Sequence, residues 1–225
     1  MDHSPPLTPL DDSFEQLDPQ RQEAVVRASV EAFGRHAYKD ASTDDIARAA
    51  GMSKGLLFFY CKNKKQLYLR TMDYLYEKIV ELVVDDHFWE IDDFFELMEY
   101  SATQKVKVIN RFPWTLEFCL RAYYPEHRDV KDLLNNWTQK HIDLLINRFF
   151  VNVNWNKFRD DEDPRHVLNM IIWLADGWIN QRRSTKEPVS MDDLIAEYLV
   201  WADMLRAWAY KPEYLKEDHN EQPRH

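Results

Sequence analysis

Residues 42–60 carry the pattern of two short helices joined by a tight turn, and this pattern constrains the fold more than any other feature. Ser42 is placed to cap the first helix, because Asp45 follows it in the spacing of a capping box. Gly51 is expected to end that helix, since glycine readily adopts the left-handed conformation of a tight helix exit. Ser53 is suited to cap the second helix. This order is typical of a helix-turn-helix, whose second helix lies in the major groove of DNA.

In this region the chain resembles the TetR family of bacterial transcriptional repressors. The resemblance rests on the string Ile46-Ala-x-x-Ala-Gly-Met-Ser-Lys-Gly-x-Leu-x-x-Tyr60, followed by Lys62-Asn63-Lys64 and the apolar Leu67. It covers roughly the first third of the chain. The residues that depart from the family pattern are Phe58, Cys61 and Lys65. The resemblance implies a DNA-binding head, a helical body that holds a ligand, and a dimer.

A DNA-contacting surface is predicted on the second helix and its flanks. Lys54 can donate to a guanine base edge, Gly55 permits close approach of the backbone, and Phe58 can touch a thymine methyl group. Because the reading face has one long polar side chain, part of the specificity is expected to come from DNA shape. Inward packing is favoured for Leu57 and stays open for Phe58 and Phe59. The predicted DNA-binding residues are Ser42, Thr43, Ser53, Lys54, Gly55, Leu56, Phe58, Phe59, Tyr60 and Lys64.

The charge is divided unequally along the chain. Residues 19–71 contain ten Lys and Arg against five Asp and Glu, a net charge of +5. Since the whole chain has a net charge of −10, the remaining residues carry −15. A basic head attracts the phosphate backbone, and an acidic body is repelled from it and helps to orient the protein. An alternative explanation of the acidic residues in the body is that they lie on ordinary solvent-exposed helix faces.

The predicted fold class is all-α, with an N-terminal three-helix helix-turn-helix DNA-binding domain followed by a larger helical ligand-binding and dimerisation domain. Few glycines and long stretches of 3.6-residue periodicity favour helices throughout. The predicted divisions are a flexible arm over residues 1–18, the DNA-binding domain over 19–66, the body over 67–211 and a tail over 212–225. Within the body, one continuous helix is expected from about residue 89 to 110.

Several classes of protein are disfavoured by the sequence. Cys61 and Cys119 stand alone in apolar contexts, which fits a reducing compartment and excludes a disulfide framework. We expect a cytoplasmic protein without membrane contact, because no leader-like segment or long apolar run is present. Neither metal-ligand spacing nor a catalytic motif is found. We therefore expect no cofactor, no metal and no enzymatic activity.

All eight tryptophans lie outside the predicted DNA-binding domain. Each one alone is best explained by core packing, but together they offer the large apolar surface that lines cavities for flat or greasy ligands. The TetR resemblance implies such a cavity among the middle helices. Arg121 is the candidate that can hold an anionic group. The predicted ligand-binding residues are Tyr100, Trp114, Phe118, Arg121, Trp137 and Trp173.

The last two long helices resemble the dimerisation pair of the TetR family. Gly177 is a small residue at which two helices can approach closely. The alternative, in which this apolar face covers the core of the monomer, stays open. The predicted dimer residues are Trp173, Gly177, Trp178, Trp201, Met204, Leu205 and Trp208.

Taken together, the residues predict a homodimeric repressor that binds pseudo-palindromic double-stranded DNA and is released by a small apolar or aromatic effector. The fourth helix is expected to transmit the effector signal from the body to the head. One alternative is a constitutive DNA-binding regulator without an effector. A less favoured alternative is an all-helical enzyme.

Overall fold

The chain is all-α, as the sequence predicts. The computed structural model describes residues 13–125 and 127–215, and within them an isolated bridge between Phe158 and Tyr210 is the only β-type pairing. In these residues no helix combines the length and the apolar character that crossing a membrane requires. The α-helices are α1 Pro19–Arg35, α2 Thr43–Ala49, α3 Lys54–Cys61, α4 Lys64–Val83, α5 Asp86–Glu90, α6 Phe94–Arg111, α7 Thr115–Tyr123, α8 Arg128–Phe149, α9 Pro164–Thr185 and α10 Met191–Ala209.

The helices form two compact units. The first unit combines the chain up to Asp85 with Gln104–Val151, and the second combines Asp86–Thr103 with the chain from Asn152 onward. The predicted boundary after residue 66 does not separate these units. The reason is that the buried side chains of α1, α2 and α3 continue into those of α4 and α7 as one core.

Helix α1 is the central element of the first unit, because it packs against α2, α4 and α7. It begins where Asp18 accepts a hydrogen bond from the Gln20 backbone N–H and Pro19 occupies the first turn, a position at which proline loses no helical hydrogen bond. Near its end, the ring of the fully buried Phe33 lies 4.7 Å from that of Tyr68 on α4.

The prediction of a flexible arm is wrong for residues 13–18, and residues 1–12 lie outside the described part of the chain. A short 3-10 helix, Phe14–Gln16, precedes α1, and the apolar side chains of Phe14 and Leu17 are buried against the head. The Ser13 hydroxyl donates to the Tyr60 carbonyl at 3.1 Å. The two buried apolar side chains stabilise this segment, which explains why it is ordered.

The predicted tail also has ordered residues at its start. Residues 212–214 form a 3-10 helix, and the preceding Tyr210 is buried in the second unit. The Lys211 backbone N–H donates to the Lys157 carbonyl at 2.9 Å. The rest of the predicted tail, residues 216–225, lies outside the described residues.

The single helix expected from residue 89 to 110 is two helices, α5 and α6, separated at Asp92 and Asp93. The Asp93 carboxylate accepts hydrogen bonds from the backbone N–H groups of Phe95 and Glu96 at 3.0 and 3.2 Å, which is the geometry of an N-cap. Its oxygens also bind Lys157 and Arg206 at 3.3 and 3.1 Å. These hydrogen bonds and ion pairs of Asp93 stabilise the start of a separate helix, α6.

Candidate nucleic-acid interface

Helices α2 and α3 are joined by the turn that the sequence predicts. The Ser42 hydroxyl accepts from the Asp45 backbone N–H at 3.2 Å, and the Ser53 hydroxyl accepts from that of Leu56 at the same distance. Gly51 has a φ of +69°, the left-handed conformation that favours glycine. Both helices therefore begin with a side-chain cap, and the glycine sets the angle between them.

The outer face of α3 is exposed and its inner face is buried. Leu57 and Cys61 lie inside the head, and for Leu57 this confirms the favoured inward packing. Lys54 and Gly55 are exposed in the first turn, and the Phe59 side chain is 62% exposed one turn later. Apolar surface at this level of exposure is available to a partner. Of the predicted contacts, those that are partly buried are Ser42, Thr43, Leu56, Phe58, Tyr60 and Lys64.

Lys54 has a partner within the head that was not predicted from the sequence. Its Nζ lies 2.8 Å from Oδ2 of Asp44 on α2, and both side chains are about half exposed. Exposed ion pairs contribute little to stability, on the order of 0.2–1 kcal/mol. The pair therefore orients the lysine but costs little to break, so Lys54 is available to another acceptor such as a base edge. The sequence feature that could have indicated this pair is the acidic residue Asp44 in the first turn of α2.

Lys64 is held at the start of α4 by the loop after α1. Its Nζ donates to the Lys39 carbonyl at 3.1 Å and lies 5.0 Å from the centre of the Tyr38 ring. Burial lowers the pKa of Lys64, and the nearby Asp40 carboxylate acts in the opposite direction. Sequence reasoning did not identify Tyr38 as the ring beside this lysine.

Three of the predicted ligand residues lie at the junction of α1 and α7. Gly34 approaches Trp114 so closely that an added Cβ would stand 2.8 Å from the Trp114 Cβ and carbonyl oxygen. Trp114 itself has a φ of +73° just before α7. The Arg121 Nε donates to the Gly34 carbonyl at 3.0 Å. Arg121 thus ties α7 to α1, which differs from its predicted role as the holder of an anionic ligand group.

Phe118, which the sequence predicts as a ligand contact, lies in the core of the first unit. It has no exposed surface, and its ring lies 5.0 Å from that of Tyr68 and 6.2 Å from that of Phe33. In this structure Phe118 therefore packs α7 against α1 and α4.

The other predicted ligand residues are divided between the two units. Trp137 on α8 is buried in the first unit, where its Nε1 donates to Asp73 on α4 at 2.7 Å and its ring stacks on His141. Tyr100 and Trp173 belong to the second unit. Tyr100 contacts the His87 ring, and Trp173 is 65% exposed on α9.

Helices α9 and α10 carry an exposed apolar face. Most of the predicted dimer residues contribute to it, but Trp201 is buried in the second unit because it lies on the inner side of α10 with Tyr198 and Ala202. Sequence reasoning missed Leu174 on α9 and Leu199 and Val200 on α10, whose exposed side chains also belong to this face. The exposed large apolar residues of this face are Trp173, Leu174, Leu199, Val200, Met204 and Trp208. Gly177 is exposed, and Trp178 and Leu205 are partly buried.

No site for a metal ion is formed in the described part of the chain, where no group of three or more His, Cys, Asp or Glu side chains is suitably arranged.

The sequence of the head matches a known family. Residues 25–71 match the family of bacterial regulatory proteins described as the tetR family. The HTH-type transcriptional regulator BetI of Agrobacterium fabrum is 38% identical over 56 residues, which are 25% of this chain and 27% of BetI. The chain therefore matches about a quarter of the length of this curated relative.

The fold of the whole chain is also similar to solved structures. SmeT of Stenotrophomonas maltophilia superimposes with a TM-score of 0.62 at 14% identity, over 95% of this chain and 100% of SmeT. FadR of Bacillus halodurans superimposes with a TM-score of 0.62 at 18% identity, over 82% of this chain and 97% of FadR. At these identities the likeness shows the fold. Residues 25–71 are therefore similar in sequence to the tetR family of bacterial regulatory proteins, and the chain shares the fold of SmeT and FadR.

Proposed function

We propose that this protein is a sequence-specific DNA-binding transcriptional regulator that acts as a homodimer. The observation that carries the proposal is the outer face of α3, where Lys54, Gly55 and Phe59 stay exposed while Leu57 fixes the helix in the head. A helix presented in this way fits the major groove, with its first turn toward the base edges.

The contacts divide into base readout and phosphate binding. Lys54 is the candidate for a guanine contact, and Leu56 and Phe58 are candidates for thymine methyl groups. The hydroxyls of Ser42, Thr43 and Tyr60 and the ammonium of Lys64 are candidates for phosphate contacts, as the TetR resemblance implies. Phosphate contacts fix the register of the protein on DNA, and base contacts specify the sequence.

A homodimer is supported by the apolar face of α9 and α10. Its exposed large side chains, with Trp173 at 65% and Met204 at 59%, form an apolar area of the kind that marks a protein interface. A two-fold dimer would present two α3 helices to a pseudo-palindromic operator.

Repression that is relieved by a small effector is the regulatory mode we propose. SmeT is the repressor of a multidrug efflux pump, and FadR is a fatty acid degradation regulator. In this chain the tight packing of Gly34 against Trp114 gives a second route, beside α4, by which a change in the body can reach the head. Coupling between two sites typically amounts to about 1–3 kcal/mol, enough to release an operator several-fold to a hundred-fold.

The test is selection of bound duplexes from a random DNA pool by the purified full chain, repeated with Lys54→Ala. Lys107→Ala is the matched control, because it removes the same charge from the exposed side of α6. We expect a two-fold symmetric motif with the native protein and the control, and a lost or relaxed motif with Lys54→Ala. Recovery of no motif by the native protein would refute the proposal.

A further inference from the structure

Tyr38 lies in the loop between α1 and α2, beside a predicted phosphate-binding residue. The centre of its ring is 5.0 Å from Nζ of Lys64, in the first turn of α4. An ammonium at this distance from an aromatic ring is attracted by the negative face of the ring. The same ammonium donates a hydrogen bond to the Lys39 carbonyl at 3.1 Å. The loop thus holds the end of the Lys64 side chain at two points.

The Tyr38 ring is itself fixed by the core of the first unit. It is half-buried and packs against the core cluster. Its centre lies 5.5 Å from that of the Tyr68 ring on α4 and 6.1 Å from that of the Phe33 ring on α1, and both of these side chains are buried. Because α1 and α4 hold the ring in place, it restricts the positions open to the Lys64 ammonium.

The start of α8 also contacts Tyr38. The ring of His127, at the N-cap of α8, lies 5.4 Å from the Tyr38 ring. Burial raises the pKa of the Tyr38 hydroxyl, and the Asp129 carboxylate in the first turn of α8 adds to this effect. A lysine of α4 and a histidine of α8 thus meet at one side chain, and all three residues belong to the first compact unit.

A lysine held in this way is suited to bind a phosphate. An ammonium carries three N–H donors, and the Lys39 carbonyl accepts from one of them. Lys64 directly follows the N-cap Asn63, at the end of α4 where the helix dipole favours an anion. A lysine side chain loses rotamer entropy when a ligand immobilises it, and contacts that hold it beforehand lower this cost.

We propose that Tyr38 is a positioning residue for DNA binding, whose ring holds the Lys64 ammonium ready for a phosphate and links it to the start of α8. A change in the body that displaces His127 would move this ring and weaken the phosphate contact. The inference rests on the proposed function, from which it takes the phosphate contact of Lys64, and it adds the residue that controls that contact.

The test is a double-mutant cycle on DNA affinity, measured by fluorescence anisotropy with a labelled duplex of mixed sequence at about 50 mM salt. Phosphate contacts do not depend on sequence, so this duplex reports on Lys64 independently of any operator. We expect Tyr38→Leu to weaken binding about three- to tenfold, and Tyr38→Phe, which keeps the ring, to weaken it less than about twofold. In the Lys64→Gln background, Tyr38→Leu should have no further effect.

A matched control is offered by a second tyrosine beside a lysine on α4. The Tyr74 ring lies 5.8 Å from Nζ of Lys78, but it is ten residues beyond Lys64, about 15 Å further along the helix. Tyr74→Leu should therefore bind DNA as the native chain does.

The link to α8 is tested by His127→Asn. This variant removes the ring beside Tyr38 and keeps a side chain that can cap a helix. We expect it to weaken DNA binding about twofold or more, since the Tyr38 ring loses one of its supports. In the Lys64→Gln background it should have no effect.

Three results would overturn the proposal: unchanged affinity in Tyr38→Leu, an equal loss in the native and Lys64→Gln backgrounds, or unchanged affinity in His127→Asn. An equal loss would mean that Tyr38 only supports the fold. Thermal unfolding shows which variants are folded. If Tyr38→Leu fails to fold, the cycle of His127→Asn with Lys64→Gln decides by the same criteria. Selection of a motif by the native chain is independent of these titrations, so failure here leaves the operator test intact.

Discussion

Among the glycines of the head, Gly34 is the one at which an added methyl group has the least room. A Cβ there would stand 2.8 Å from two Trp114 atoms, one of them the backbone oxygen, so relief requires α1 and α7 to separate. We expect Gly34→Ala to lower the free energy of unfolding by about 1–3 kcal/mol, the usual cost of overpacking. Urea unfolding followed by circular dichroism measures the effect.

Gly55→Ala is the matched control, since its added Cβ meets only the Ser53 hydroxyl at 4.0 Å. This variant should be as stable as the native chain or slightly more stable, because alanine favours a helix over glycine. If Gly34→Ala unfolds at the same urea concentration as Gly55→Ala, the close packing of α1 on α7 at Gly34 does not limit the stability of the chain.

Single residues show where sequence reasoning reached its limit. Ser42 and Ser53 were predicted as caps because a cap depends on residues two or three positions away. The role of Arg121 was not predictable in this way. Its partner, the Gly34 carbonyl, is 87 residues distant in sequence, and only the folded chain brings the two together.

The start of α6 depends on an ionised Asp93. Burial alone would raise the pKa of this carboxyl, but the Glu96 backbone N–H, Arg206 and Lys157 together outweigh it, so the pKa is lowered. A lowered folded-state pKa adds stability that is present above the unfolded value, about 3.9, and is lost as the pH falls through the folded value. We expect thermal unfolding to show this loss in acid for the native chain.

Asp93→Asn removes that charge and should destabilise the chain at pH 7 by about 3–5 kcal/mol, the usual cost of leaving partly buried partners without their counter-charge. Its stability should also depend less on pH below 4. Asp92→Asn is the control, because the Asp92 carboxylate is mostly exposed and, among the described residues, pairs with the same Lys157 without capping a helix. Equal stability of the two variants at pH 7 would show that Asp93 does not hold the start of α6.

Elements with local signals were predicted accurately, and the break between α5 and α6 was not. Helix α1 begins at Pro19, where the predicted DNA-binding domain also begins, because proline is suited to the first turn of a helix. The break at Asp93 depends on Lys157 and Arg206, which lie 64 and 113 residues away. The periodicity of residues 89–110 gives no information about these distant partners, so the break could not be predicted from it.

At the scale of the whole molecule, the face of α9 and α10 sets the proposed assembly. Met204→Glu places a charge on this face, and we expect it to weaken the dimer by about 2 kcal/mol or more, since a buried unpaired charge is costly. Sedimentation velocity over a range of protein concentrations measures the change. Asn156→Glu adds the same charge at an exposed position outside the face and should leave the dimer intact. A native chain that is monomeric at every concentration would contradict the assembly.

The charge of the chain is divided between a basic head and an acidic remainder. Residues 19–71 carry a net charge of +5 on a chain of −10, so attraction to phosphate is confined to the head. Each phosphate contact releases counterions, and the affinity for DNA should fall steeply as salt rises.

The most direct measurement is the affinity of the chain for its selected duplex between about 50 and 200 mM salt. It is made for the native protein, Lys54→Ala and Asp44→Asn, with a scrambled duplex as the reference. We predict a steep salt dependence, a loss of about 1–3 kcal/mol for each base contact removed by Lys54→Ala, and no loss on releasing Lys54 from Asp44. Equal affinity of the native chain for both duplexes, unchanged by Lys54→Ala, would contradict the reading of DNA by α3.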